Sequence, residues 1–162
     1  MATVDLSQYN IDETPNAEAF RFGIVVSDWN SYITHNLLNG AIETLTKFGV
    51  KENNIKVCHV PGSFELIFAT HKFCKEKDFC NAVIAIGCVI RGETPHFEYV
   101  CSAVSQGIKD INILTQTPAI FCVLTDDNQQ QSIERSGGKY GNKGIEAAIT
   151  AIKMAYFNKY SI

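Results

Sequence analysis

The feature that most constrains this chain is an apolar run that leads directly into a helix start. Residues 82–86 are all apolar and do not alternate with polar residues, which is typical of a parallel strand buried on both faces. Gly87 is predicted to end this strand. Thr94 and Pro95 are predicted to be the N-cap and the first residue of the next helix. Because such a strand needs cover on both faces, the rest of the chain must supply helices.

The start of this helix has the features of an anion site. N–H groups in a first helical turn have no acceptor within the helix, and the helix dipole is positive there. We expect the N–H groups of Glu93, Thr94 and His96 to point into solvent. The side chain of His96, which exchanges protons near neutral pH, stands beside them. A site for a reacting phosphate ester is one interpretation, and an ordinary helix cap with a surface histidine is the other.

The alternation of strand and helix recurs along the chain. Strands are predicted at 20–27, 55–60, 82–86 and 119–124, and helices at 33–48, 64–75, 95–108, 129–135 and 145–157. This order predicts an α/β fold, a flavodoxin-like three-layer sandwich with a four-stranded parallel sheet. Residues 20–162 are predicted to form one domain and residues 1–19 an N-terminal arm. Because the sheet has open edges, the arm of a neighbouring subunit is predicted to add a strand, which favours a homo-oligomer.

Composition and charge argue against several classes of partner. The chain has 162 residues, of which 46% are hydrophobic, and its net charge is −3 without any run of Lys or Arg. Neither nucleic acid nor a membrane is therefore expected as a partner. The six cysteines include no C-x-x-C pair, and no signal peptide or long apolar span is found, so reduced thiols and a cytoplasmic location are expected. His35, His59 and His71 are isolated from one another in the sequence, so no metal site is predicted.

Three segments are expected to meet, because ligands of parallel α/β sheets bind at the carboxyl ends of the strands. These are Trp29, the turn at residues 62–65, and the loop at residues 87–96. An aromatic plane, a carboxylate with a hydroxyl, and an anion site suit a flat polar heterocycle that carries a polyol, together with a phosphate. Arg135 and Lys143 either supply charge to that phosphate or are solvated surface residues.

A glycine-rich connection at residues 136–144 does not fit a P-loop. It follows a helix instead of a strand, and Tyr140 stands where a Ser or Thr would be needed to hold magnesium.

With these residues in place, the chain resembles the 6,7-dimethyl-8-ribityllumazine synthase family from about residue 20 to the last helix. The likeness rests on three motifs in order: Val-Pro-Gly-Ser-Phe-Glu at 60–65, Gly-Cys-Val-Ile-Arg-Gly-Glu-Thr-Pro-His at 87–96, and Glu-Arg-Ser-Gly-Gly-Lys-Tyr-Gly-Asn-Lys-Gly at 134–144. It implies a transferase that condenses 5-amino-6-(D-ribitylamino)uracil with 3,4-dihydroxy-2-butanone 4-phosphate, the penultimate step of riboflavin biosynthesis. It also implies that no metal or organic cofactor takes part.

The resemblance also implies roles for single residues. Trp29 would stack on the pyrimidine ring, and His96 would transfer protons. The ribityl chain would be held by Ser63, Phe64 and Glu65, and the heterocycle would be lined by Cys88, Val89 and Ile90. The phosphate would be bound by Glu93, Thr94 and Arg135. Lys143 is a further candidate for the phosphate because of its charge. Phe121 and Arg135 would reach in from the adjacent subunit. A small residue is common in the family at position 93, so Glu93 is expected to weaken the phosphate site unless its side chain turns to solvent.

Members of this family assemble into pentamers, and in some of them twelve pentamers close into a hollow shell. The short connection between residues 138 and 145 favours the shell, and riboflavin synthase is a candidate partner. Two other functions are a structural container, alongside or instead of catalysis, and a flavin-binding module. The presence of His96 and Arg135 argues against a container that has lost its catalytic activity. A phospho-acceptor domain of the same fold is excluded because no aspartate ends the third strand.

Overall fold

One parallel sheet, covered by helices on both faces, forms the protein. The computed structural model describes residues 13–76 and 79–161. In chain order its main elements are β1 (Phe22–Ser27), α1 (Ser31–Lys47), β2 (Ile55–Val60), α2 (Leu66–Lys75), β3 (Ala82–Ile90), α3 (His96–Leu114), β4 (Ala119–Asp126), α4 (Gln129–Arg135), β5 (Ser136–Gly138), β6 (Gly141–Asn142) and α5 (Lys143–Tyr160). The strands of the main sheet are parallel in the order β2-β1-β3-β4. The predicted α/β fold with a four-stranded parallel sheet is confirmed.

The two faces of the sheet bury separate sets of side chains. Ile24 packs in the core that α1 and α5 cover, whereas its neighbour Val25 packs in the core beneath α2 and α3. This follows from the period of two in a strand, which sends successive side chains to opposite faces. All six residues of β1 are buried, which explains its run of apolar residues without alternation.

Strand β3 does not end at Gly87, contrary to the sequence prediction. It pairs with β4 up to the register Ile90↔Asp126. A Cβ atom at position 87 would lie 2.7 Å from Oγ of Ser63 and 2.8 Å from a methyl carbon of Leu66. The glycine therefore marks a close approach between neighbouring elements inside the strand, not a turn.

Thr94 was also wrongly predicted as the N-cap of α3. The helix begins at His96 with Pro95 as its N-cap residue, and no side chain caps it. The backbone of Pro95 is already helical, with φ −62° and ψ 0°, and its carbonyl accepts from the N–H of Glu98 at 3.1 Å. The proline ring fixes this φ, so the helix start needs no polar cap.

The glycine-rich connection at residues 136–144 contains regular secondary structure. Strands β5 and β6 form an antiparallel hairpin that leads into α5. The side chain of Asn142 accepts from the N–H of Gly144 at 2.8 Å and donates to the carbonyl of Asn36 at 2.9 Å. Asn142 thus caps α5 and connects it to α1.

Part of the predicted N-terminal arm packs on the domain. Thr14 and Ala17 are buried, and the N–H of Ala17 donates to the carbonyl of Phe48 at 2.8 Å. The strand that this arm is predicted to add to a neighbour's sheet stays a prediction, because residues 1–12 of the arm lie outside the described residues.

All six cysteines are free thiols, as predicted. Burial raises the pKa of Cys74 and of Cys122 to about 12, so these thiols remain protonated and act as small packing groups. Across the part of the chain that the structure describes, no helix is both long enough and apolar enough to cross a membrane.

Candidate active site

Trp29 lies on the surface where the carboxyl ends of β1 and β2 meet. Its backbone N–H donates to the carbonyl of Pro61 at 2.9 Å, and that of Asp28 donates to the carbonyl of Val60 at 2.8 Å. The indole is seated against Gly62, where an added Cβ would lie 2.5 Å from a ring carbon. The tryptophan residue is 67% exposed, so it is not a core residue. Trp29 therefore presents an exposed aromatic ring at this edge of the sheet, on a backbone that is held by hydrogen bonds.

The turn at residues 62–65 is fixed on both sides. The carboxylate Oε2 of Glu65 accepts from the N–H of Gly62 at 3.1 Å, within the turn. The hydroxyl of Ser63 is buried and donates to the carbonyl of Cys88 in β3 at 3.4 Å. Phe64 is 54% exposed. The turn therefore presents an apolar ring and a half-buried carboxylate close to the end of β3.

Asn30 joins the Trp29 loop to the same carbonyl, a role that the sequence analysis missed. Its side-chain amide donates to the carbonyl of Cys88 at 3.0 Å, and its backbone is left-handed, with φ 59° and ψ 40°. Asparagine is among the few residues that tolerate this conformation, so the signal was present in the residue type. Of the predicted grouping of Trp29, residues 62–65 and residues 87–96, these contacts join Trp29 and the turn to Cys88, at the start of the third segment.

Cys88 is a packing residue and not a nucleophile. Burial raises the pKa of its thiol to about 11, and the thiol donates to the hydroxyl of Ser132 at 3.5 Å. Val89 and Ile90 follow it at the half-buried end of β3. The carbonyl of Cys88 already accepts two hydrogen bonds from the protein, so it is not free to accept one from a ligand.

The loop that leads into α3 surrounds a surface depression of about 240 Å³, lined by Arg91, Gly92, Glu93, Thr94, Pro95 and Glu98. Every residue from 91 to 96 is exposed. Within residues 13–76 and 79–161, no backbone or side-chain acceptor takes the N–H groups of Glu93, Thr94 or His96. These donors, at the positive end of a 19-residue helix, are available to an anion, and His96 is the first residue of that helix.

Arg91 holds this loop in place, which the sequence did not reveal. Its Nε donates to Asp127 at 2.8 Å, and its Nη1 donates to Glu98 in the first turn of α3. The guanidinium also lies 4.2 Å from the centre of the Phe97 ring. Because two carboxylates already pair with this guanidinium, an anion in the depression would need a further cation.

Phe121 and Lys143 lie elsewhere, Phe121 on the outer edge strand β4 and Lys143 at the first residue of α5. They line a groove of about 520 Å³ between β4 and α5, and Phe121 is 42% exposed. The ammonium of Lys143 is paired with Glu146 at 2.6 Å, and the lysine side chain is only 14% exposed. In the sheet order, β3 separates these residues from the Trp29 loop after β1.

Arg135 ends α4 and is largely enclosed by its own chain. Its Nη1 donates to the carbonyl of Gln131 at 2.9 Å, and its Nε lies 3.8 Å from the buried carboxylate of Asp126. The guanidinium is 5.0 Å from the ring centre of Tyr140. Within a single chain, contacts thus connect four of the predicted site residues: Trp29, Ser63, Glu65 and Cys88. Three others lie on the other side of β3: Phe121, Arg135 and Lys143.

The strand ends of this parallel α/β sheet carry an aromatic plane, a turn with a carboxylate and a helix start with free N–H groups. Together these features define a small-molecule site of the kind found in doubly wound α/β proteins. Comparison with known proteins identifies the family to which this fold and site belong. A family model described as 6,7-dimethyl-8-ribityllumazine synthase matches residues 19–159. The chain therefore belongs to the 6,7-dimethyl-8-ribityllumazine synthase family, as the three motifs indicated.

Curated relatives with this name align over nearly the whole chain. The protein from Flavobacterium psychrophilum is 56% identical over 98% of this chain and 83% of its own length. Those from Flavobacterium johnsoniae and Parabacteroides distasonis are 57% and 53% identical, over 96% and 98% of this chain and 81% and 99% of their own lengths.

Proposed function

We propose that this protein condenses 5-amino-6-(D-ribitylamino)uracil with 3,4-dihydroxy-2-butanone 4-phosphate to 6,7-dimethyl-8-ribityllumazine, with release of phosphate and water. Family membership, shown over residues 19–159, supports this activity. The observation that carries it is the exposed Trp29 seated on Gly62, in a turn that is hydrogen-bonded to the end of β3. Formation of the lumazine from the two substrates is the test.

The heterocycle and its ribityl chain would occupy the surface between Trp29 and the end of β3. Trp29 stacks on the pyrimidine, and the ribityl chain lies along Ser63, Phe64 and Glu65. The half-buried Glu65 carboxylate can accept bonds from sugar hydroxyls beyond the one it takes from Gly62. The remaining lining of the heterocycle is Cys88, Val89 and Ile90.

The phosphate would bind at the start of α3, where Glu93 and Thr94 offer backbone N–H groups. The exposed position of Glu93 is compatible with a side chain that turns to solvent. Attack of the amine on the ketone, loss of phosphate and ring closure each require proton transfer and correct placement, and His96 supplies the proton transfers. No redox step is involved, and none of these steps needs a metal ion.

A neighbouring subunit would complete the phosphate site. Because Arg91 is already paired with Asp127 and Glu98, the depression needs a second cation. We assign it to Arg135 of an adjacent copy, together with Phe121 as a wall of the heterocycle site. Lys143 is a weaker candidate because it is paired with Glu146.

This arrangement requires a homo-oligomer, and we propose a cytoplasmic one built from pentamers, with sheets that are extended by N-terminal arms. Riboflavin synthase, which consumes the lumazine, is the corresponding partner. Measurement of the particle mass in solution separates a single pentamer from a closed shell of twelve.

Replacement of Arg135 by alanine is expected to raise the KM for the phosphorylated ketone and to leave affinity for the ribitylamino-uracil nearly unchanged. A hydrogen bond to a charged group contributes about 1.5–3 kcal/mol, so the rise should be about 10- to 150-fold. Arg135→Lys should restore part of the loss, since an ammonium cannot reproduce the guanidinium fork. Steady-state kinetics with each substrate varied in turn measures both effects.

Lys139→Ala is the matched control for Arg135→Ala, because it removes an exposed cation from the β5–β6 hairpin that directly follows Arg135. It should leave both KM values unchanged. If Arg135→Ala weakened binding of the pyrimidine instead of the phosphate, the assignment of Arg135 would be wrong.

Trp29 is the only tryptophan, so emission excited selectively from tryptophan and not from the six tyrosines reports on this site alone. Riboflavin, or an unreactive ribitylamino-uracil analogue, is expected to quench the emission to saturation and to compete with the pyrimidine substrate. Trp29→Ala should weaken ligand binding by about 1–3 kcal/mol, the scale of stacking between a base and an aromatic ring.

Trp29→Phe is the control for this loss, because it keeps an aromatic plane and should retain most of the affinity in calorimetric titration. Emission that does not change at saturating ligand would place Trp29 outside the site.

A further inference from the structure

Three metal-ligating side chains meet beside the Trp29 loop. Asp28 follows β1, His35 lies early in α1, and His59 lies near the end of β2. Oδ1 of Asp28 is 2.7 Å from Nδ1 of His59 and 3.7 Å from Nε2 of His35. The ligand atoms of all three side chains lie within 4.8 Å of one another. Although the histidines are isolated from one another in the sequence, the fold brings two of them, His35 and His59, together.

The separations are close to those around a transition metal ion. Bonds of about 2.0–2.2 Å to nitrogen and oxygen place neighbouring ligands roughly 3–3.5 Å apart. The two distances from Asp28 lie on either side of this range. Since the ligand nitrogens of His35 and His59 lie within 4.8 Å of each other, a movement on the order of 1 Å by one ring closes the set. The three side chains are 46–52% exposed, which leaves room for this movement and for water at the remaining positions.

The backbone beneath the cluster is firmly held. Strands β1 and β2 pair in register there, with Val26 opposite His59, and the N–H of Asp28 donates to the carbonyl of Val60 at 2.8 Å. On α1, the hydroxyl of Thr34, next to His35, donates to the carbonyl of Ser27 at 2.7 Å. The three ligands thus come from three elements with fixed positions, so binding an ion would order only side chains.

The donor set selects the kind of ion. Two imidazole nitrogens and one carboxylate suit Zn²⁺, Ni²⁺ or Cu²⁺, whereas Mg²⁺ and Ca²⁺ prefer oxygen ligands alone. We propose that Asp28, His35 and His59 bind one divalent transition metal ion per chain. This site is separate from the proposed chemistry, which needs no metal. Because Asp28 directly precedes Trp29, the bound ion would fix the loop that carries the stacking residue.

The test is metal titration of the full-length, untagged protein, with Zn²⁺ followed by calorimetry and Co²⁺ by visible absorption. We expect one site per chain, with a Co²⁺ spectrum that lacks thiolate charge transfer. His35→Asn and His59→Asn should each lower the affinity at least about tenfold, since even the loss of an outer partner of a metal ligand costs about 10- to 100-fold. Both positions are exposed, so these variants are expected to fold, and thermal melting checks this.

Two control variants separate this cluster from other metal ligands. His71→Asn removes a histidine on α2, and Cys58→Ser removes the half-buried thiol next to His59; both should leave the affinity unchanged. The proposal is overturned if no saturable site is found, if His35→Asn and His59→Asn bind as the original protein does, or if either control abolishes binding. With the original protein alone, the electron paramagnetic resonance of bound Cu²⁺ should show coupling to two imidazole nitrogens, and one or none would contradict the site.

Discussion

Replacement of His96 by alanine is expected to lower kcat by about 10²- to 10⁴-fold, the usual contribution of a general acid–base group. Binding of the pyrimidine substrate should change little, because its proposed contacts are Trp29, residues 62–65 and the end of β3. The protein should remain folded, since His96 is exposed at the first residue of α3. Steady-state kinetics, together with titration of an unreactive pyrimidine analogue, separates the two effects.

His71→Ala is the control for this variant, because it removes a histidine on α2 that has no proposed part in the reaction. Its kcat should equal that of the original protein. Unchanged turnover in His96→Ala would remove this residue from the mechanism, and an equal loss in both variants would point to a general effect on structure.

A second large effect is expected on stability. A Cβ atom at Gly144 would lie 1.9 Å from the carbonyl oxygen of Leu37 in α1, so Gly144→Ala cannot fit unless α1 and α5 move apart. Overpacking typically costs about 1–3 kcal/mol and occasionally more, and here the clash is with backbone that no side-chain rotation relieves. We expect a loss of about 3 kcal/mol or more in the free energy of unfolding, measured by denaturant titration.

Gly92→Ala serves as the reference for this change, since nothing lies within 4 Å of a Cβ atom at that position. Its stability should stay within about 0.5 kcal/mol of the original protein, as is usual for surface substitutions. If Gly144→Ala were as stable as Gly92→Ala, the close approach of α5 to α1 would not contribute as described.

The sequence predicted the order of strands and helices well, because buried parallel strands appear as continuous apolar runs. The predicted bounds of β2 and α4 match the structure. Gly87 was misread because a glycine in a turn and a glycine in a strand look alike locally. The feature that distinguishes them is Ser63, which packs against position 87 from another part of the chain.

The same limit explains which site residues were missed. Trp29 and Ser63 lie two and three residues after the ends of β1 and β2, so the rule for strand carboxyl ends was sufficient to group them. The roles of Asn30 and Arg91 depend on partners across the fold, the carbonyl of Cys88 for one and Asp127 for the other. The contact of His59 with Asp28 likewise arises only when β2 pairs with β1. No local pattern in the sequence marks such contacts.

The central claim is that this protein catalyses the condensation, and the direct test is to mix the purified protein with both substrates. We predict that lumazine absorbance rises faster than in the same mixture without protein, with one phosphate released per lumazine formed and no requirement for added metal. His96→Ala in the same assay should approach the rate of the protein-free mixture. A rate with the original protein that does not exceed the protein-free rate would contradict the proposed function.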